Sequence, residues 1–130
     1  MKWSFVVEGQ PVSWNASYGV GVRKRTGGRN GQYHTIIKKD DAVAYTNLVM
    51  LRAREARPSG WRPEGLVVVE IEYFLGRNID CDNVMKLVND GLARAIEVDD
   101  KWFLPRAMSK EIGLRPPERR LVVSVSSVSP

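Results

Sequence analysis

Residues 65–75, GLVVVEIEYFL, constrain the fold of this chain more than any other segment. They combine β-branched and aromatic residues with the two-residue alternation of a strand that buries one face. The face predicted to be buried carries five residues: Val67, Val69, Ile71, Tyr73 and Leu75. Glu70 and Glu72 lie on the other face, and Gly76 ends the strand. The chain is therefore expected to build a sheet.

The segment before this strand has the pattern of an amphipathic helix. From about Asp40 to Arg57, apolar residues recur at spacings of three and four: Ala42, Tyr45, Val49, Ala53 and Ala56. Asp40 or Asp41 can cap the start of this helix, and Pro58 follows its end.

A second helix is predicted after the strand, from Asp82 to about Glu97. Its broad apolar stripe contains Val84, Val88, Leu92 and Ala95. Gly91 lowers the helix propensity of this segment modestly and would permit close packing against a neighbour.

Three further segments are predicted to be strands. Residues 2–8 alternate apolar and polar side chains, and residues 104–112 and 119–127 follow the second helix. The order is strand, loop, helix, strand, helix, strand, strand, and no internal repeat is present. Residues 1–130 are therefore expected to form one small α+β domain, with a mixed β-sheet and two main helices.

A basic Gly/Arg-rich segment at about residues 19–37 separates the first strand from the first helix. The cations in and just after it are Arg23, Lys24, Arg25, Arg29, Lys38 and Lys39. Because no acidic residue lies among these cations and glycines separate them, we predict that this segment is a flexible loop that contacts phosphates without reading bases. A solvated loop with no partner is the alternative.

The counts of cysteine and histidine exclude several kinds of site. Cys81 is the only cysteine, so no intrachain disulfide and no zinc site of several cysteines can form. His34 is the only histidine, which excludes a site of several histidines. No apolar run approaches the ~18 residues of a membrane span, and the first residues do not resemble a signal peptide. An intracellular protein is expected.

The candidate catalytic residues lie between the strand at 65–75 and the second helix, along that helix, and just after it. They are Asp80, Asp82, Asn83, Lys86, Asp90, Asp99 and Asp100. Asp80 and Asp82, two residues apart, can point their carboxylates into the same space. Lys86 and Asp90 follow Asp82 at i+4 and i+8, and with Asn83 they are predicted to form the polar face of the helix.

Carboxylates with a lysine in this arrangement suit hydrolysis of a phosphate ester. Mg²⁺ prefers hard oxygen ligands and is typically held by a few carboxylates, waters and substrate phosphate. It polarises the phosphoryl oxygen and lowers the pKa of an attacking water. The spacing alone leaves a structural interpretation open, with Asp82 as a helix N-cap that pairs with Lys86. It also selects no reaction, because Asp-x-Asp occurs in glycosyltransferases and phosphohydrolases as well.

The sequence resembles the RusA-like Holliday-junction resolvases, the endodeoxyribonuclease RusA family, over most of its length. The specific part of the match comprises Asp80-x-Asp82-Asn83-x-x-Lys86, Asp90-Gly91-Leu92 and Asp99-Asp100. Pro11, Asn15 and Tyr18 match an early motif of the family. The resemblance implies a small α+β homodimer that binds four-way DNA junctions and makes paired nicks with Mg²⁺ or Mn²⁺.

The resemblance also implies a role for each matched position. The metal-binding and catalytic carboxylates would be those of Asp80, Asp82 and Asp100. Lys86 would be the catalytic lysine, supported by Asn83 and Asp90. Arg77 remains from the basic cluster that commonly precedes the first aspartate in the family and is expected to contact DNA. The longer Gly/Arg-rich segment at 19–35 departs from the family pattern.

Two other classes of function stay open. A non-catalytic branched-DNA-binding protein would need the basic loop but not three convergent aspartates. In a metal-dependent phosphohydrolase that acts on small substrates, the basic loop would have no role in function. Any DNA binding by such a protein would lack a steep salt dependence. Because RusA-like proteins are often carried by phages, the expected location is the cytoplasm of a bacterial or phage-infected cell.

Overall fold

Strand β2 (Leu66–Phe74) occupies an inner position in a four-stranded sheet. The computed structural model describes the backbone of residues 1–12 and 29–129, and the side chains of residues 1–12 and 40–129. The other main elements are β1 (Trp3–Glu8), α1 (Arg29–Ala56), α2 (Cys81–Ile96), β3 (Phe103–Glu111) and β4 (Arg120–Val128). This mixed sheet with two helices confirms the predicted α+β class.

The strand order of the sheet is β1-β4-β2-β3. β2 pairs antiparallel with β4 and parallel with β3, and β1 completes the sheet beside β4. The five residues of the 65–75 segment that were predicted to be buried are all 0% exposed. They join apolar residues of both helices in one core cluster, so the helices cover this face of the sheet.

The parallel pairing of β2 with β3 determines how α2 lies across the sheet. A parallel pair needs a crossover connection, because the chain must return to the starting end of the first strand. Helix α2 provides this return, from the carboxyl end of β2 to the amino end of β3, where a short 3₁₀ helix (Asp100–Trp102) follows it. Asp80 therefore lies just before the N-terminus of α2, and Asp100 lies in the chain that leaves the C-terminus of α2.

Helix α1 starts earlier than the sequence predicted. The prediction of a loop at 19–37 and a helix from about Asp40 is wrong for residues 29–37, since the backbone is helical from Arg29. An aspartate can cap a helix, but it can also lie inside one, so Asp40 was an ambiguous start signal. No proline interrupts residues 29–56, and Gly31 costs only about 1 kcal/mol. Residues 19–28 of the predicted loop lie outside the described part of the chain.

The two helices pack closely at Gly91 of α2. A Cβ atom built at this glycine would lie 2.6 Å from the backbone oxygen of Thr46 and 2.8 Å from the Cβ of Val49, both in α1. The close packing expected from Gly91 is confirmed, and it brings α1 and α2 together above the sheet. Among the described helices, none is both long and apolar enough to cross a membrane.

Candidate active site along helix α2

Charged side chains form an exposed stripe along α2. Its members stand four residues apart and are Asp82, Lys86, Asp90 and Arg94. Residues at this spacing lie on one face of a helix, so Asp82, Lys86 and Asp90 share a face as predicted. Asn83 was predicted on the same face, and this was wrong. Its side chain is 7% exposed, because it stands one turn before the buried Leu87 on the side that meets the core.

Asp80 caps the N-terminus of α2. Its Oδ1 accepts a hydrogen bond from the backbone N–H of Asp82 at 3.0 Å, while its side chain remains exposed. The capping position suggested for Asp82 from the sequence is therefore held by Asp80, and Asp82 lies in the first turn. Both carboxylates stand at the N-terminus of the helix, which is the positive end of the helix dipole.

Two side chains from the sheet hold the backbone around these aspartates. The hydroxyl of Tyr73 donates a hydrogen bond to the carbonyl oxygen of Cys81 at 3.3 Å. The ammonium of Lys110, on β3, donates to Oδ1 of Asn78 at 2.8 Å and to the carbonyl oxygen of Ile79 at 2.9 Å. Sequence reasoning missed Lys110, because it lies about thirty residues further along the chain and only strand pairing brings it here.

The phenol of Tyr73 remains protonated in this environment. Burial is the main cause that raises its pKa well above the ordinary value, and the nearby charges of Cys81, Asp82 and Asp80 raise it further. A protonated hydroxyl can donate a hydrogen bond, so Tyr73 is a permanent donor toward the Cys81 carbonyl.

Asp100 meets the middle of α2 rather than its N-terminus. It lines a surface cavity of about 300 Å³ together with Lys86, Leu87, Asn89 and Asp90. Partial burial raises the pKa of Asp90, and the nearby charge of Asp100 raises it further, against the opposing effect of Arg94. Asp99, in contrast, caps the 3₁₀ helix, since its Oδ1 accepts from the N–H of Lys101 at 3.0 Å.

The carboxylates fall into two groups along the helix. Asp80 and Asp82 stand at the N-terminus, and Asp90 with Asp100 stands about 12 Å further along the axis, since eight residues rise 1.5 Å each. Within residues 1–12 and 40–129, no three acidic, histidine or cysteine side chains come close enough to share a cation. The donor chemistry still fits Mg²⁺, which is commonly held by one or two protein carboxylates with waters and substrate phosphate.

The residues predicted to contact DNA are only partly described. Arg77 is exposed in the connection between β2 and α2. Arg23, Lys24 and Arg25 lie outside the described residues, and Arg29, Lys38 and Lys39 belong to α1, where only the backbone is described.

The connection between β3 and β4 contains further arginines and lies against the connection that carries Arg77. The backbone N–H of Gly113 bonds the carbonyl of Gly76 at 3.0 Å, which joins this connection to the one that carries Arg77. Arg115 is exposed there, and the Arg119 guanidinium packs against Gly76, where a Cβ atom would overlap it. These two arginines were not among the residues predicted to contact DNA.

Fold and site together define a small α+β domain in which one helix displays carboxylates and a lysine on its exposed face. The family model described as endodeoxyribonuclease RusA matches residues 19–126, so the chain belongs to the RusA family and the resemblance is confirmed. Membership makes it a nuclease of the class that resolves Holliday junctions. No curated protein and no solved structure matches the chain.

Proposed function

We propose that the chain is a Mg²⁺-dependent, structure-selective endodeoxyribonuclease that resolves four-way DNA junctions by paired, symmetric hydrolysis of phosphodiesters. The observation that carries the proposal is the exposed stripe along α2, in which Asp82, Lys86 and Asp90 face solvent beside Asp100. Charged side chains displayed in this way can reach a DNA backbone without any rearrangement of the core.

Asp80, Asp82 and Asp100 are the proposed metal-binding residues, with Mn²⁺ as a possible substitute for Mg²⁺. When bound, the cation would offset negative charge on the scissile phosphate and activate the attacking water. Asp80 and Asp82 offer carboxylate oxygens at the N-terminus of α2, and Asp100 offers them beside Asp90. The role of Asp100 rests on the family pattern, since it stands apart from Asp80 within one chain.

Lys86 lies between the two carboxylate groups and is the proposed catalytic lysine. It is exposed one helical turn from Asp82 and one turn from Asp90, and it lines the same cavity as Asp100. Its ammonium can neutralise charge on the phosphate or the leaving oxygen, which lowers the barrier to hydrolysis. Asp90 is the proposed support, because it stands one helical turn beyond Lys86 on the same face and lines the same cavity.

Substrate binding is proposed to use the basic residues at positions 23–39 together with Arg77. A homodimer is the proposed working unit, because a two-fold pair of identical sites matches the two like strands that must be cut in a junction. The cytoplasm of a bacterial or phage-infected cell is the proposed location.

The first test is cleavage of an end-labelled synthetic four-way junction, with Mg²⁺ and with EDTA, beside a linear duplex. Paired nicks that are confined to the junction and require the metal are the expected result. Tight junction binding with no cuts in Mg²⁺ or Mn²⁺ would instead favour a non-catalytic DNA-binding protein. Cleavage of small phosphate esters without salt-dependent DNA binding would favour a phosphohydrolase.

Asp82→Asn tests the site directly. We expect cleavage to fall by about a hundredfold or more, because one charged contact to the reacting centre is lost. Junction affinity should be retained or increased, since repulsion between the carboxylate and phosphate is relieved. Glu64→Gln is the matched control, as Glu64 is exposed near the opposite end of β2. Equal cleavage by the two variants would refute the role of Asp82.

A further inference from the structure

Tyr73 and Lys110 are partners across the β2–β3 pair. They face each other in the parallel register, and both lie on the side of the sheet that the helices cover. Tyr73 is fully buried, whereas Lys110 lies on the exposed edge strand. Their polar ends both reach the segment 78–81, which contains Asp80 and leads into Asp82.

The hydrogen bonds of this pair act on two particular peptide units. A peptide unit is planar, so a bond to the carbonyl oxygen of one residue also orients the amide of the next. Lys110 bonds the Ile79 carbonyl, which shares its plane with the amide of Asp80. Tyr73 bonds the Cys81 carbonyl, which shares its plane with the amide of Asp82. Each aspartate therefore has its own anchor to the sheet.

A β-bulge makes this pairing possible. The register between the strands shifts after Ile71, so that Met108 has no partner and Lys110 stands opposite Tyr73. Without the extra residue, Ser109 would face Tyr73, and its short side chain could not reach the Ile79 carbonyl. Bulges occur next to active sites, where they redirect a side chain.

We propose that Tyr73 and Lys110 are positioning residues that orient Asp80 and Asp82 toward the bound divalent cation. This proposal rests on the proposed metal-dependent function and adds the residues that preorganise the site. Neither side chain is proposed as a catalytic residue, since both act through backbone carbonyls. Removing a group that orients metal-binding residues typically costs ~10–100-fold in metal affinity or activity.

A substitution of Lys110 can act on cation binding by loss of orientation or by loss of charge, and the two causes change the affinity in opposite directions. Lys110→Met removes a positive charge that is bonded to residues 78 and 79, just before Asp80, and the charge change alone would tighten the binding of a divalent cation there. Weaker binding must therefore come from lost orientation of the aspartates. Tyr73→Phe removes only a hydroxyl and no charge, so it tests the same role at the second anchor.

The experiment measures Mn²⁺ affinity by calorimetry without DNA, junction affinity in EDTA, and single-turnover cleavage in Mg²⁺, all with the full chain. Arg106→Met is the matched control, because Arg106 is exposed on the same strand and its alternation places it on the uncovered face. We expect Lys110→Met and Tyr73→Phe to weaken Mn²⁺ binding and slow cleavage by ~10-fold or more. Junction affinity of Lys110→Met in EDTA should stay close to that of Arg106→Met, because neither side chain is proposed to contact a phosphate.

Three outcomes would overturn the proposal. If both variants bind Mn²⁺ and cleave the junction as well as Arg106→Met does, the positioning role is rejected. The proposed nuclease function is then unaffected. Tighter Mn²⁺ binding by Lys110→Met would mean that the Lys110 ammonium only repels the cation and does not orient the aspartates. A wild-type chain that neither binds Mn²⁺ nor cuts junctions would overturn the proposed function, and this inference with it.

Discussion

Gly91 lies where α2 packs closely against α1, and Gly91→Ala tests how much this contact contributes to stability. Two effects oppose each other. Alanine favours the helix by about 1 kcal/mol relative to glycine. Its methyl group, however, would lie 2.6 Å from the Thr46 backbone oxygen and 2.8 Å from the Val49 Cβ. Neither is the end of a flexible side chain, so the helices would have to separate.

Overpacking of this kind costs about 1–3 kcal/mol, and more where backbone must move. Since the contact is with backbone, we expect the steric cost to exceed the gain in propensity. With a steric cost of about 2–3 kcal/mol against a gain of about 1 kcal/mol, the net loss of unfolding free energy should be about 1–2 kcal/mol. For a domain of this size, such a loss lowers the Tm by roughly 3–8 °C.

Urea denaturation and thermal unfolding, followed by circular dichroism, would measure the effect of Gly91→Ala. The matched control is Ala44→Gly, at an exposed position of α1, which reports helix propensity alone and should cost about 1 kcal/mol. An increase in stability for Gly91→Ala, of the size that Ala44→Gly loses, would refute the steric reasoning. It would mean that α1 and α2 can separate at negligible cost.

Two further predictions concern charges. Because the pKa of Asp90 is raised in the fold, its ionisation opposes folding. Asp90→Asn should therefore raise the Tm at pH 7 without divalent cations, and the gain should vanish near pH 3, where the carboxyl is protonated in both states. A lower Tm at pH 7 would contradict this. Arg52 donates to both carboxylate oxygens of Glu8 at 3.1 Å and to Glu55 at 2.9 Å, all near the surface. Arg52→Met should lower the Tm slightly, with no difference in ~1 M NaCl, and a loss that persists in high salt would refute a screened ion pair.

The elements of the fold were predicted well wherever their pattern is local. The alternation in residues 65–75 identified the buried face of β2, because side chains of a strand alternate with a period of two whatever its partners are. The spacing of Ala42, Tyr45, Val49 and Ala53 identified the buried face of α1 in the same way. The start of α1 was missed, since residues 29–39 contain neither a clear cap nor a proline.

The candidate site was predicted in part for the same reason. Helical periodicity placed Asp82, Lys86 and Asp90 on one face, and their exposure agrees with it. The same periodicity could not determine which aspartate caps α2, because Asp80 and Asp82 are both good capping residues. It also misplaced Asn83, whose polar side chain is buried on the core side of the helix.

By itself, the sequence determined the faces of the helices and strands and the family motif, since these depend on neighbours along the chain. Only the tertiary structure decided how those faces meet. The parallel pairing of β2 with β3 put Asp80 at the N-terminus of α2 and Asp100 beside its middle, and a bulge at Met108 brought Lys110 opposite Tyr73. Strand pairing and register arise from contacts between residues far apart in the chain, which no local period can specify.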